Sequence, residues 1–269
     1  MPRKSGAVAQ SPSPVWASRL NLGRVSAPGR YEFRRVVAGV ETLPSRLSMP
    51  RHHHDAGYAT VVLSGSVTEV SFAGRMHGTA GDVFLHGRFD CHLDRAGRRG
   101  PLQILRLPWK RDTLEGQFRV KDPDTLARLA ETDPELAAGQ LYEQLRPGTL
   151  RDRYWVDDLA DALRADSVFH LQEWAETRGL RPEAVSRAFR REFEVCPKRF
   201  RLESRTRTAW GEIVRSARSL TEIAFEVGFS DLAHLSRSIH AFTGRCPTLW
   251  RSRPDPWLWP TRKSVQACE

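Results

Sequence analysis

The sequence predicts an α+β chain of two domains, a β-rich domain followed by an all-α one. Three observations predict it. The chain has 269 residues, 40% of them hydrophobic and 28% charged, which suits two globular cores at ~150 residues per domain. Between residues 30 and 108, short apolar runs recur about every ten residues with glycine turns between them, the pattern of a β-sandwich or barrel. After Lys121 the apolar residues follow helical spacing, and one stretch of that pattern occurs twice.

The elements follow in order. Residues 1–29, with Ser11-Pro12-Ser13-Pro14, read as a disordered leader. Arg3 and Lys4 lack a following apolar stretch, so no secretory signal is expected, and no run reaches the ~18 apolar residues of a membrane span. Residues 30–120 form the β domain. Tyr58 to Leu63 is a strand, Val67 to Phe72 alternates at period two before a turn at Ala73-Gly74-Arg75, and Val83 to Leu85 and Pro101 to Leu107 are two more. Residues 121–151 form a helical linker. Asp122-Pro123 and Asp133-Pro134 are helix starts, an Asp cap followed by proline in the first turn. Leu136, Ala137, Leu141 and Leu145 make an apolar stripe before Pro147-Gly148, either core packing or a dimer contact. Residues 152–252 read as short helices, with Val156, Leu159, Ala160 and Leu163 on one face of the first. In the tail, 253–269, prolines around Trp257 and Trp259 exclude a long helix.

Net charge is +10 and the isoelectric point about 10.1, which favours a polyanionic partner, nucleic acid first. The excess sits mostly before residue 121, and residues 152–252 are nearly balanced, so bulk charge does not locate the site. Cys91, Cys196, Cys246 and Cys268 lack the paired spacing of a metal site and read as reduced thiols of a cytoplasmic protein. Cys91 beside His92 is either redox-sensitive or an inert thiol.

The repeat carries the function. Leu171, Trp174, Ala175, Gly179 and Leu180 recur 49 residues later as Leu220, Ile223, Ala224, Gly228 and Phe229. One inserted residue then shifts the offset to 50, matching Val185-Ser186-Arg187, Phe189 and Cys196-Pro197 with Leu235-Ser236-Arg237, Ile239 and Cys246-Pro247. Each copy has the physics of a helix-turn-helix: an apolar-alanine face, a glycine where the chain leaves the first helix, an apolar plug, and a second amphipathic helix after a short turn. Val185, Phe189 and Phe193 face inward in the first copy, Leu232, Leu235, Ile239 and Phe242 in the second. The outward residues Glu183, Ser186, Arg187 and Arg190, and Ala233, His234, Arg237 and His240, are the candidates to meet base edges. Ser230 is the expected N-cap of the second recognition helix and a further DNA candidate. Arg205, Arg207, Arg215 and Arg218 lie near the joining helix, as phosphate contacts or as plain surface charge. Two such helices on one chain suit successive major grooves, ~34 Å apart.

At these residues the chain resembles the AraC/XylS family of transcription regulators. The resemblance spans roughly 152–252 and is carried by Ile223-Ala224, Val227-Gly228-Phe229-Ser230, Ser236-Arg237 and Gly244-Arg-Cys-Pro247 followed by Trp250-Arg251. Leu235 and Ile239 stand where the family usually has Phe. Arg181-Pro182 replaces its serine cap, and Glu194 replaces a glycine.

The resemblance implies a cupin-like β-barrel sensor in residues 30–120. His52-His53-His54 precedes a strand, and Gly81-Asp82-Val-Phe-Leu85 resembles the second cupin turn. A cupin enzyme would add a Glu, and Tyr58-Ala59 supplies none. His52, His54, Tyr58 and His92 are therefore expected to line an effector pocket, with zinc or iron at His52, His54 and His92 as the alternative. No catalytic residue, cofactor or metal is expected. The predicted function is a cytoplasmic, nucleoid-associated, sequence-specific transcription regulator. Its partners are double-stranded DNA, a small-molecule effector, RNA polymerase if it activates, and a second copy, with no membrane. A metal-dependent cupin enzyme and a basic module for RNA or acidic protein are the competing readings.

Overall fold

The computed structural model of the protein describes residues 37–111, 114–148, 153–165 and 169–252. The leader 1–29, the tail with Trp257 and Trp259, and Cys268 lie outside the described residues. Among the described residues, no helix is long and apolar enough to cross a membrane.

The β domain is two packed antiparallel sheets. Ten strands are described: β1 (Gly39–Leu43), β2 (Ser48–His52), β3 (Tyr58–Ser64), β4 (Ser66–Ser71), β5 (Gly74–Thr79), β6 (Asp82–His86), β7 (His92–Ala96), β8 (Leu102–Pro108), β9 (Gly116–Arg119) and β10 (Arg146–Pro147). One sheet runs β1-β8-β3-β6-β9-β10, the other β2-β7-β4-β5. The barrel is thus an open, cupin-like sandwich, with Leu43, Met49, Val62, Val67, Met76, Phe84, Leu102 and Ile104 packed together from both sheets. The expected turn at Gly74-Arg75 is instead the first pair of β5, which zips onto β4 from Gly74 opposite Ser71 to Thr79 opposite Ser66. Gly-Arg-Met-His-Gly-Thr has too few apolar residues to read as a strand, and the partner strand supplies what its side chains do not.

Helices α1 (Pro123–Ala130) and α2 (Pro134–Gln144) start as expected, capped by Asp122 and Asp133 with proline in the first turn. Leu126, Ala130, Ala137 and Leu141 pack onto Ala59, Val61, Leu85 and Leu107 of the six-stranded sheet. The stripe is therefore core. Leu136, assigned to it, is half exposed at 51%, because α2 turns it away from the sheet. The helix ends at Gln144, before Pro147, and β10 pairs with β9 through Arg146 and Pro147.

The all-α part comprises α3 (Trp155–Ala165), α4 (Leu171–Glu176), α5 (Pro182–Phe193), α6 (Pro197–Arg215), α7 (Leu220–Glu226), α8 (Leu232–Thr243) and α9 (Pro247–Ser252). Val156, Leu159, Ala160 and Leu163 of α3 are buried as their spacing requires. The two parts share a core. Val70, Phe72, Phe89, Cys91 and Leu93 of the β domain join one apolar cluster with Phe189, Phe200, Trp210, Phe242 and Trp250 of the helices.

Candidate nucleic-acid interface and histidine cluster

Both predicted helix-turn-helix units are present, as α4–α5 and α7–α8, joined by the 19-residue α6. Gly179 and Gly228 have φ of +65° and +81°, the left-handed geometry that ends a helix where the chain turns sharply. Leu180 N–H and Phe229 N–H then bond back to Ala175 O (2.9 Å) and Ala224 O (2.8 Å). These bonds close the same corner in each copy. Burial separates the faces as predicted. Val185, Phe189, Phe193, Leu235, Ile239 and Phe242 are buried, while Glu183, Arg187, Arg190, Ala233, Arg237 and His240 are exposed and Ser186 and His234 half-buried. Leu232, expected inside, is 38% exposed because it opens α8 above the core.

Several expectations are corrected. Asp231, not Ser230, caps α8: its carboxylate accepts from His234 N–H at 2.6 Å, and Ser230 Oγ donates to Asp231 at 3.0 Å. The carboxylate caps because its residue stands one place nearer the helix, with extended backbone. Asp231→Ala is accordingly expected to lower the thermal midpoint of the full chain, and Ser230→Ala to leave it nearly unchanged. The reverse order in a melt followed by circular dichroism would restore the serine as cap. Arg205 and Arg207 are not available as phosphate contacts in this arrangement. Arg205 donates to Gly228 O at 2.9 Å, and Arg207 donates to Glu115 (2.9 Å through Nη1) and to Arg88 O (2.9 Å). Arg215 and Arg218 are exposed, the latter paired with Glu226. Arg181 makes no side-chain cap, and Pro182 starts α5 without one.

Glu194 stands where the resemblance calls for glycine and takes the left-handed conformation that glycine would, with φ +58°. An L-residue there costs roughly 1–2 kcal/mol. Its carboxylate offsets that cost by reaching the β domain, where it accepts from Arg51 N–H at 3.1 Å and lies 3.5 Å from Arg95. Three further contacts tie the two parts together. Arg51 bonds to Glu203 at 3.1 Å with both side chains buried, and Glu203 also takes Arg199 at 2.8 Å. Arg75 meets buried Asp157 through its N–H and guanidinium. Phe89, at φ +58°, inserts its ring beside Trp210, centroids 4.9 Å apart at 76°. Sequence reasoning missed these residues. The missing glycine at Glu194 was the one visible signal, since the other contacts join positions far apart in the chain.

The predicted effector residues His52, His54, Tyr58 and His92 do converge. His52 and His92 face each other across the β2–β7 ladder with ring centroids 4.4 Å apart, and His54 lies 5.0 and 5.4 Å from them. Tyr58 Oη is 2.9 Å from His92 Nε2. The cluster opens toward a narrow cavity between the sheets, about 30 Å³, bordered by Tyr58, Glu69, His86, Asp94 and Arg106. Beside it, His86 lies between Glu69 and Asp90, 3.3 Å from each. Burial opposes its charge, yet these two carboxylates raise its pKa to about 9. His92, by contrast, is pushed well below the usual range by burial and by the neighbouring histidines. His53 points the other way, onto Phe242 at 4.9 Å. Burial, then Arg51, lowers its pKa to about 3. Cys91 is buried, and burial pushes its thiol well up, which favours the inert reading. Cys91, Cys196 and Cys246 are free thiols.

The family described as Helix-turn-helix domain matches residues 174–253, which takes in both units except the first three residues of α4. No curated protein sequence matches the chain. Among solved structures, the chain is similar to ToxT from Vibrio cholerae bound to an unsaturated fatty acid, at 11% identity over 80% of this chain and 94% of that one, TM-score 0.38. It is similar to the C-terminal domain of AraT, a response regulator from Geobacillus stearothermophilus, at 20% identity over 38% and 88%, TM-score 0.35. A probable AraC family transcriptional regulator from Rhodopseudomonas palustris shows 21% identity over 38% and 97%, TM-score 0.35. At these TM-scores the likenesses add nothing to the family match. The match, the repeat and its two exposed helix faces fall on the same residues, and this part of the chain is a helix-turn-helix domain.

Proposed function

We propose that the chain is a sequence-specific transcription regulator whose α5 and α8 enter successive major grooves of one duplex, and whose β domain holds a small effector at His52, His54, Tyr58 and His92. The observation that carries this is the repeated helix-turn-helix, in which both second helices keep a buried apolar face and an exposed polar one. The 19 residues of α6 make a rod of about 28 Å, a spacing that suits two grooves about one helical turn apart. Glu183, Ser186, Arg187 and Arg190 on α5, and Ala233, His234, Arg237 and His240 with Ser230 on α8, are the proposed DNA contacts. RNA polymerase, in a cytoplasmic setting, is the further partner that activation would require. Contact with a second copy is a further proposed partnership, which the oligomeric state in solution tests.

Selection of sites by the full chain from random duplex DNA at fixed, near-physiological salt tests the reading. Two enriched blocks about one helical turn apart are expected. No enrichment by folded protein would overturn it. Arg187→Ala and Arg237→Ala are each expected to weaken binding to the recovered site by ~1–3 kcal/mol and to relax preference at a few base pairs. An equal loss on every sequence would make them phosphate contacts.

A further inference from the structure

We infer that His52, His54 and His92 form a three-histidine site for a divalent transition metal of the zinc class, and that this metal is the effector the β domain reports to the DNA-reading helices. The second half rests on the regulator reading above; the first does not.

The strand register builds the site. His52 is opposite His92 in the β2–β7 ladder, and an irregularity between Met49 and His52 re-aims the end of β2. His54, two residues on, returns its ring to the same side, while His53 between them turns onto Phe242. One ligand atom from each of His52, His54 and His92 lies within 4.8 Å of the others, and all three residues are buried. Nitrogens bound to one zinc at ~2.1 Å in tetrahedral geometry stand about 3.4 Å apart. The widest pair therefore needs to close by at most about 1.4 Å.

Hydrogen bonds decide which nitrogens carry lone pairs. His52 Nδ1 lies 2.8 Å from Pro50 O, and His92 Nδ1 lies 3.1 Å from Asp90 O. A carbonyl only accepts, so both Nδ1 atoms are the donors. In the neutral ring Nε2 then holds the lone pair. Fixing a histidine through its far nitrogen on a carbonyl is how metal-ligating imidazoles are oriented. At His92 Nε2 the Tyr58 hydroxyl, 2.9 Å away, then donates, holding the lone pair that a metal would take. Asp94 Oδ2, 3.9 Å from the same nitrogen, brings negative charge within reach of a fourth position. A second grouping, His86, Asp90 and His92, is also compact. It is the poorer candidate, because both ring nitrogens of His86 already face carboxylate oxygens at 3.3 Å. Three imidazoles select zinc, cobalt, nickel or iron over magnesium and calcium, which prefer oxygen.

The same segments touch the reader. The loop between β6 and β7, which ends on His92, carries Phe89 to Trp210, Phe242 and Trp250 (4.9, 5.9 and 5.9 Å). His53, flanked by two of the ligands, packs on Phe242 of α8. Drawing His52, His54 and His92 together would pull on both supports of α8.

The test uses tag-free full chain stripped with a chelator. Co2+ is titrated and its visible d–d absorption recorded, zinc is then used to displace it, and affinity for duplex DNA is measured separately with and without zinc. One Co2+ per chain is expected, displaced by zinc, with affinity falling about 100-fold or more in His54→Gln and His92→Gln and unchanged in the exposed control His77→Gln. Circular dichroism identifies variants that fail to fold, and for those the wild-type stoichiometry decides. Folded wild-type chain that takes up no Co2+, or variants that bind it as tightly, would overturn the site. Tight binding with DNA affinity unmoved by zinc would keep the site and overturn the metal as effector. Chain that binds metal but no DNA in either state would sink the regulator reading and leave the site standing.

Discussion

Gly228→Val is expected to unfold the second helix-turn-helix and to abolish specific DNA binding. Two costs add there. The backbone sits at φ +81°, where an L-residue costs about 1–2 kcal/mol and a β-branched one more. A Cβ would also stand 3.0 Å from the Arg205 guanidinium carbon, displacing the arginine that donates to Gly228 O at 2.9 Å. Together these amount to ~3 kcal/mol or more, a large share of a domain's stability. Gly179 separates the two costs, since its φ is +65° but a Cβ there meets nothing within 4 Å. Gly179→Val should therefore be the milder change. Thermal melts of the two variants check this. A wild-type midpoint in Gly228→Val, or a larger loss in Gly179→Val, would show the corner of the second unit to be unimportant.

Phe89→Ala is expected to uncouple the two parts of the molecule. The ring is fully buried, and truncating a buried phenylalanine costs ~3–5 kcal/mol. Most of that loss falls on the boundary rather than inside either part, because the ring comes from the β domain and its neighbours Trp210, Phe242 and Trp250 from the helices. The left-handed backbone at Phe89 would persist, its N–H held by His54 O at 2.8 Å. Scanning calorimetry should show one cooperative transition in the wild type and two in the variant, with DNA binding by the isolated-like helical part retained. A single transition at the wild-type temperature would mean that the ion pairs Arg51–Glu203, Arg207–Glu115 and Arg75–Asp157, with the other apolar contacts such as Phe72 on Phe200, carry the junction without Phe89.

These contacts also bear on the role of charge. The net +10 suggests a polyanion, yet part of it is spent inside the protein. Arg51 and Arg207 are fixed at the junction, and Arg205 holds the second turn. What stays exposed on the outer faces of α5 and α8 is a small basic set, Arg187, Arg190 and Arg237, which are among the proposed DNA contacts.

The α+β class, the positions of both helix-turn-helix units, the faces of α5 and α8 and the two Asp-Pro helix starts are legible in the sequence by itself. Each depends on interactions within a few residues: helical periodicity, caps, prolines in first turns and glycines at positive φ. The convergence of His52, His54, Tyr58 and His92 is partly legible, through the His-x-His spacing. Tertiary structure decided the rest. β5, β7 and β9 have little apolar pattern of their own and become strands because partner strands satisfy their backbone groups. Asp231 rather than Ser230 caps α8 because the turn from α7 sets its backbone. Glu194 tolerates a glycine conformation only because Arg51, 143 residues away, meets its carboxylate. Local sequence encodes what near neighbours determine, and contacts across the domain boundary exist only once both parts have folded against each other.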